Sequence, residues 1–323
     1  MKKVLRKRVE LGLDDPCWRD ERFRFSYVFE KSNLKESLRL SGLIYPPWGI
    51  EEKGSLVLVS GWKRVLLLQE LGWSTIPVEV KKERDIISIW QQLILENKSH
   101  RELSLVDKAF ILKKVMAQGV DQEKIIQNFC GWLDIPPQMS WVERYVRITE
   151  LDKASLEFIY QKKLPEYIIR FWLEYSAEER QLLIPWLVPL SQNKIKEVLE
   201  WLKEIALRDN LTPEQIVADF NRSSSTEEVS KSLAPPAEAF RDYLRQKRYP
   251  AYIQALARYK SILKEIGWPE DIELSPFPYF EKDEFQVSFT FSNEKEFRKK
   301  VDQLVKLNKT SGIKKIFFFQ KND

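Results

Sequence analysis

The run from Val57 to Gly72, Val-Leu-Val-Ser-Gly-Trp-Lys-Arg-Val-Leu-Leu-Leu-Gln-Glu-Leu-Gly, constrains the fold more than any other part of the chain. Val57 to Val59 read as a buried strand, Ser60-Gly61 as a turn, and the residues to Leu71 as a helix stopped by Gly72. The missing side chain at Gly61 lets backbone come close to a ligand. The unbonded N–H groups of the next helical turn, with Lys63 and Arg64 beside them, favour an anion there. Two cations at a helix start oppose the macrodipole by a few tenths to about 1 kcal/mol, so their placement points to a negative guest, and a phosphate fits. The same run taken alone also reads as a plain strand–helix turn with two solvated charges.

The surroundings favour the first reading. Upstream stands Leu34-Lys35-Glu36-Ser37-Leu38-Arg39-Leu40-Ser41-Gly42-Leu43-Ile44-Tyr45-Pro46-Pro47. Downstream come Ile76-Pro77-Val78-Glu79-Val80 and Leu95-Glu96-Asn97-Lys98-Ser99-His100-Arg101-Glu102-Leu103-Ser104. In that order and spacing these segments resemble the ParB N-terminal domain, a fold shared by chromosome and plasmid partition proteins, sulfiredoxin and a small group of kinases. The resemblance covers residues 22–117. It is strongest from Ser60 to Val78, where the family has Gly-Glu-Arg-Arg, a helix ending in Leu-Gly, then Ile-Pro-Val.

The resemblance implies a switch that binds and hydrolyses CTP with Mg2+, the nucleotide lying against Gly42 and Pro46, Gly61 and Arg64, and Glu96 and Asn97. The chain departs from the pattern at Trp62 in place of the acid, Lys63 in place of the first arginine, and His100 in place of the last, with Arg101 one residue late. Lys63 keeps the charge without the flat two-pronged donor, so phosphate binding survives these changes better than hydrolysis does. Trp62 either packs or stacks on a base. No catalytic residue is selected.

Along the chain, residues 22–29 alternate Phe23, Phe25, Tyr27 and Phe29 against polar neighbours and predict a strand. A helix from Asn33 to Ser41, strands 56–60 and 76–80 around helix 61–71 as a β-α-β unit, and a helix 85–97 complete a small α/β core. From Leu103 to Phe220 apolar residues recur at helical spacing. Helices are expected at 103–117, after Asp121, at 139–148, and at 154–161, 166–174, 177–187, 191–207 and 212–221.

The order of the first three resembles the helix-turn-helix domain that follows the N-terminal domain in ParB proteins. On the third, Ser140, Arg144 and Arg147 share a polar face with Glu143 and suit contact with base edges and phosphates of DNA. The connection Cys130–Gln138 is longer than the usual turn between two such helices.

Residues 222–236 read as a linker, and 237–323 as a separate module of order α-β-β-α-β, with a helix 237–266, strands 272–280 and 284–291, a helix capped by Asn293 and Glu296, and a last strand 313–319. Arg241, Arg245 and Arg248, and Arg298, Lys299 and Lys300, form basic stripes there. The expected organisation is α+β overall: a ParB/sulfiredoxin-like domain at 22–100, a helical DNA-binding domain at 101–221, the linker, and the C-terminal module.

Composition narrows the function. A net charge of +5 over 323 residues is too mild to announce a nucleic-acid partner by itself. Cys17 and Cys130 lie far apart with a single histidine, His100, so neither a disulfide framework nor a zinc site is indicated, and no metal ligand set is assigned. The basic start has no apolar run behind it and no 18-residue apolar run occurs, which predicts a cytoplasmic protein without a membrane partner. Sulfiredoxin chemistry lacks its nucleophile, because Trp62 stands where that enzyme has a cysteine, and nuclease chemistry lacks an acidic cluster. Three readings remain: a nucleotide-gated ParB-like DNA-binding protein, with a partition-type ATPase and a second copy of itself as further partners; a phosphotransferase or other nucleotide-using enzyme of the same fold; and an interaction scaffold with a vestigial pocket.

Overall fold

A computed structural model describes residues 7–26, 32–83, 85–224, 236–277, 282, 284–309 and 312–318. The chain divides into two compact units, residues 1–199 and 200–323. The first unit opens with β1 (Lys7–Gly12), followed by α1 (Ser32–Ser41), β2 (Trp48–Glu52), β3 (Ser55–Ser60), α2 (Trp62–Glu70), β4 (Thr75–Lys81) and α3 (Ile86–His100). The strands form one sheet in the order β1-β4-β2-β3.

β2 and β3 are a hairpin closed by Lys53 and Gly54, whose φ values of 51° and 81° are the positive pair a two-residue turn needs to match strand twist. β2 runs parallel to β4, and β1 antiparallel to β4. The expected β-α-β unit is corrected by this register: β3 and β4 are not neighbours, because the unpredicted β2 lies between them, and they run in opposite directions. β1 was not predicted either. The expected strand 22–29 is also corrected. Residues 22–26 carry no strand, and 27–29 fall outside the described residues. Phe23 and Phe25 are buried all the same, Phe23 with its ring centroid 5.3 Å from that of Trp90, so their alternation serves core packing rather than a ladder.

α2 covers one face of the sheet. Its Trp62, Val65, Leu67 and Leu68 pack with Leu38 of α1, Leu58 of β3, and Ile76 and Val78 of β4. Val57 and Val59 point the other way, as strand alternation requires, and are as buried as Leu58, so β3 is covered on both faces. Asp85 caps α3, accepting from the Ser88 amide at 2.9 Å.

The rest of the first unit is helical. α4 (Leu105–Ala117) begins with a capping box between Ser104 and Asp107. Asp121 caps α5 (Gln122–Lys124), which runs through a π-helical turn (Ile125–Phe129) into α6 (Cys130–Trp132), and α7 (Met139–Ile148) follows. The connection expected at 130–138 therefore shortens to 133–138, because the wide turn carries the helix past Cys130. α7 packs on α4 through a face that includes Val142, Tyr145 and Ile148. α8 (Lys153–Lys162), α9 (Glu166–Trp172), α10 (Ala177–Leu187) and α11 (Gln192–Asp209) continue the chain, the division into units falling within α11.

In the second unit come α12 (Pro213–Ser224), α13 (Pro236–Arg248), α14 (Pro250–Glu265), β5 (Glu273–Pro276), β6 (Phe285–Ser288), α15 (Glu294–Asn308) and α16 (Gly312–Phe318). Residues 222–224 of the expected linker belong to α12, and 225–235 lie outside the described residues. The single helix expected at 237–266 is two, because Pro250 has no N–H to continue the first and instead starts the second. The last strand expected at 313–319 is a helix over 313–318, with 319 outside the described residues: Ile313, Ile316 and Phe317 stand at helical spacing, and Ile316 is the buried one. Asn293 caps α15 by accepting from the Glu296 amide, while the Glu296 carboxylate accepts from Ser292 rather than closing the box on Asn293.

Candidate functional site

All seven residues singled out for nucleotide contact, Gly42, Pro46, Gly61, Lys63, Arg64, Glu96 and Asn97, line one cavity of about 1020 Å3 in the first unit. They come from the α1–β2 loop, the β3–α2 turn, the first turn of α2 and the last turns of α3. The sheet explains the convergence. β3 ends and α2 begins at Gly61, β2 begins two residues after Pro46, and α3 lies against β3.

Gly61 takes φ 97°, and a Cβ there would stand 2.6 Å from the Pro47 Cβ, so only glycine fits this bend. It is the N-cap of α2 but offers no side-chain oxygen, which leaves the first N–H groups of the helix without a cap. Arg24, Lys63, Arg64, Lys81 and Arg101 also line the cavity, against the two carboxylates Glu79 and Glu96. Such a wall attracts a polyanion.

Arg64 is drawn inward. Its guanidinium donates to the Tyr45 carbonyl and, at 3.4 Å, to that of Pro46, and lies 3.7 Å from the Glu96 carboxylate. Burial pulls its pKa below the usual arginine value, and Glu96 opposes that shift. Glu96 accepts from Trp48 Nε1 at 2.7 Å and from Ser60 Oγ at 2.9 Å. Asn97 donates back along its own helix to the Leu93 carbonyl at 2.8 Å. Exposed His100 lines the cavity; Arg101, also at its wall, pairs with Asp107.

Trp62 packs, 7% exposed, in the core under α2, with the Arg24 guanidinium 5.9 Å from its ring. Its indole N–H meets no hydrogen-bond partner among the described residues. Sequence reasoning missed Trp48, Ser60 and Lys81 at this wall; the Lys81 amine lies 3.6 Å from the Trp48 ring centroid. A tryptophan directly after two prolines was the available signal for Trp48.

Among the described residues no group of three or more His, Cys, Asp or Glu side chains is placed to hold a metal ion. Mg2+ that arrives with a nucleotide is held largely by phosphate and water and needs only one or two protein carboxylates. Glu79 and Glu96 are the carboxylates at this wall.

The residues singled out for DNA lie elsewhere. Ser140, Arg144 and Arg147 are exposed on α7, on the face turned from α4. Arg144 stands 3.8 Å from Glu166 and 5.0 Å from the Trp141 ring. In the second unit half of the basic stripe residues are used internally: Lys300 is 6% exposed and donates to the Thr290 carbonyl at 2.9 Å, Arg248 pairs with Glu204, and Arg241 lies over Trp201, while Arg298 and Lys299 are exposed. Lys300 therefore drops out of the expected basic stripe, because α15 places it toward backbone carbonyls. No helix among the described residues is long and apolar enough to cross a membrane.

No family model matches the chain. Curated relatives include the nucleoid occlusion protein of Halalkalibacterium halodurans, 25% identical over 190 residues that cover 55% of this chain and 65% of that protein. The nucleoid occlusion protein of Bacillus subtilis is 25% identical over 169 residues, covering 50% and 57%. The matched stretch thus spans less than two thirds of these relatives' own length. Among solved structures, the C-terminally truncated chromosome-partitioning protein ParB from Caulobacter crescentus, complexed with CTP-gamma-S, is 18% identical, covering 55% of this chain and 97% of that one with a TM-score of 0.23. On the ordered motif residues and these sequence relatives, the chain, of mixed α+β fold, is similar to ParB-type proteins in its N-terminal part.

Proposed function

We propose that the chain is a DNA-binding protein gated by a nucleotide, with CTP as the ligand, held in the cleft of the first unit. One observation carries the proposal: seven residues from three separated segments line a single cavity beside an uncapped helix start. The α2 N–H groups and Lys63 bind the phosphates, Gly61 allows their close approach, and the Gly42–Pro46 loop borders them. Mg2+ bound with the nucleotide supplies charge neutralisation at the phosphate oxygens. α7 presents Arg144 and Arg147 to DNA, within a helical domain of residues 101–221 that follows a nucleotide domain of 22–100.

The nucleoid occlusion relatives support the DNA half of this reading. The geometry of the cleft supports the nucleotide half. Fluorescence anisotropy of a labelled duplex, titrated with full-length protein with and without CTP, tests both together. CTP-dependent change in duplex affinity is the expected result. Turnover of nucleotide with no response to any duplex would favour a phosphotransferase, and no response to either ligand would favour a scaffold.

A further inference from the structure

The geometry points to Arg64 as a latch that positions the α1–β2 loop over the cleft, anchored by Glu96, rather than as a ligand of phosphate. The inference rests on reading the cleft as a nucleotide site.

The loop has two backbone anchors at its ends. The Gly42 amide donates to the Leu38 carbonyl at 3.1 Å, and the Pro47 carbonyl accepts from Glu79 at 2.9 Å. Between them, the hydrogen bonds to the loop among the described residues are those from Arg64 to the carbonyls of Tyr45 and Pro46. Of the loop's own side chains, Leu43 packs against the core, while Ile44 and Tyr45, nearer the Arg64 contacts, are 62% and 73% exposed.

Arg64, in contrast, is fixed from behind. Its side chain is 19% exposed, and the carboxylate beside it is tied to β2 through Trp48 and to β3 through Ser60. Three elements therefore set the position of Glu96, Glu96 sets the guanidinium, and the guanidinium sets the loop. A phosphate reaching Arg64 would have to displace two carbonyls or compete with a pinned carboxylate, whereas the start of α2, where Gly61 gives no side-chain cap, offers backbone N–H groups in the same turn.

Hydrogen–deuterium exchange on the nucleotide-free full chain tests the latch, read at the amides of Gly42 and Glu79, whose bonds to the Leu38 and Pro47 carbonyls close the two ends of the loop. Arg64→Ala is expected to speed exchange there on the order of tenfold, and Glu96→Gln to speed it by less. The double variant should match Arg64→Ala alone, because Glu96 acts through Arg64. The β2–β3 turn at Lys53 and Gly54 should be unchanged in all three, which reports that the fold is intact.

Exchange at Gly42 and Glu79 within twofold of wild type in Arg64→Ala would overturn the latch. So would additive effects in the double variant. Titration with CTP separates the two claims. If wild type binds CTP, affinity should fall in Arg64→Ala, while the double variant is judged by its exchange rates alone, because Glu96 also stands at the wall where Mg2+ would arrive. If wild type binds no nucleotide, the reading of the cleft fails while the exchange result still decides what Arg64 does.

Discussion

Arg101 meets Asp107 through two contacts, Nη1 to Oδ2 at 2.6 Å and Nη2 to Oδ1 at 3.1 Å, and so ties the end of α3 to the first turn of α4. Asp107 is 2% exposed and also accepts from the Ser104 amide and hydroxyl. Arg101 reaches on to Ser26 Oγ at 3.0 Å. Burial works against its charge, and the hydrogen bonds and charge of Asp107 outweigh that, so its pKa lies above the usual arginine value. The arginine that stands one residue beyond the family position is thus committed to the junction between the sheet and the helices.

Removing Asp107 leaves that guanidinium without its buried partner and takes away the capping box. Asp107→Ala is expected to lower stability by about 3–5 kcal/mol, the range for breaking a buried pair from one side. Urea unfolding checks it: the midpoint should fall with the slope unchanged.

Gly61→Ala forces a left-handed backbone on a residue with a side chain and drives Cβ to 2.6 Å from Pro47. A loss of about 1–3 kcal/mol is expected from the backbone strain alone. Gly54→Ala is the comparison, since Gly54 also has positive φ but nothing lies within 4 Å of its would-be Cβ. Denaturant midpoints should rank wild type above Gly54→Ala above Gly61→Ala.

On α7, the double variant Arg144→Ala, Arg147→Ala should leave stability within about 0.5 kcal/mol of wild type, because both side chains are exposed. Duplex DNA affinity should fall across sequences. If both contact phosphates, the slope of log affinity against log salt should drop by about 1.8, near 0.9 for each lost contact. Anisotropy titrations at several salt concentrations read both numbers.

How much of this was legible in the chain depends on what each signal measured. Helix starts at a capping aspartate were legible, as at Asp85 and Asp121, because a short polar side chain bonding to a free N–H is a local event, whereas the cap at Ser104 was missed and that helix placed from 103. Sheet order was not legible, since β1 and β2 are chosen by pairing with residues far along the chain. Lys7 of β1 stands opposite Val80 of β4, and no local pattern records that choice. The motif residues of the cleft were legible as a set. Their individual tasks were not: Arg64 turns toward loop carbonyls and Asn97 toward its own helix, which depends on packing distances that a spacing pattern does not contain.

Asp152 caps α8, accepting from the Ser155 amide and hydroxyl, and lies 3.4 Å from Arg180. Burial works to raise its pKa, but the hydrogen bonds from Ser155 and Arg180 outweigh burial and hold it below the ordinary carboxylate value. A depressed folded pKa gives stability that is present above the unfolded pKa of about 4 and lost as pH falls through the folded value. Asp152→Asn should therefore flatten part of the stability decline below about pH 4 while lowering stability at pH 7, and thermal melts from pH 2 to 7 check the sign.

Isothermal titration of the full chain with CTP and Mg2+ tests the central claim most directly, run on wild type and Lys63→Ala. Saturable binding by wild type is predicted, weakened on the order of tenfold in Lys63→Ala through loss of one charge-assisted contact. No heat from wild type, or an affinity that Lys63→Ala leaves unchanged, would contradict the account.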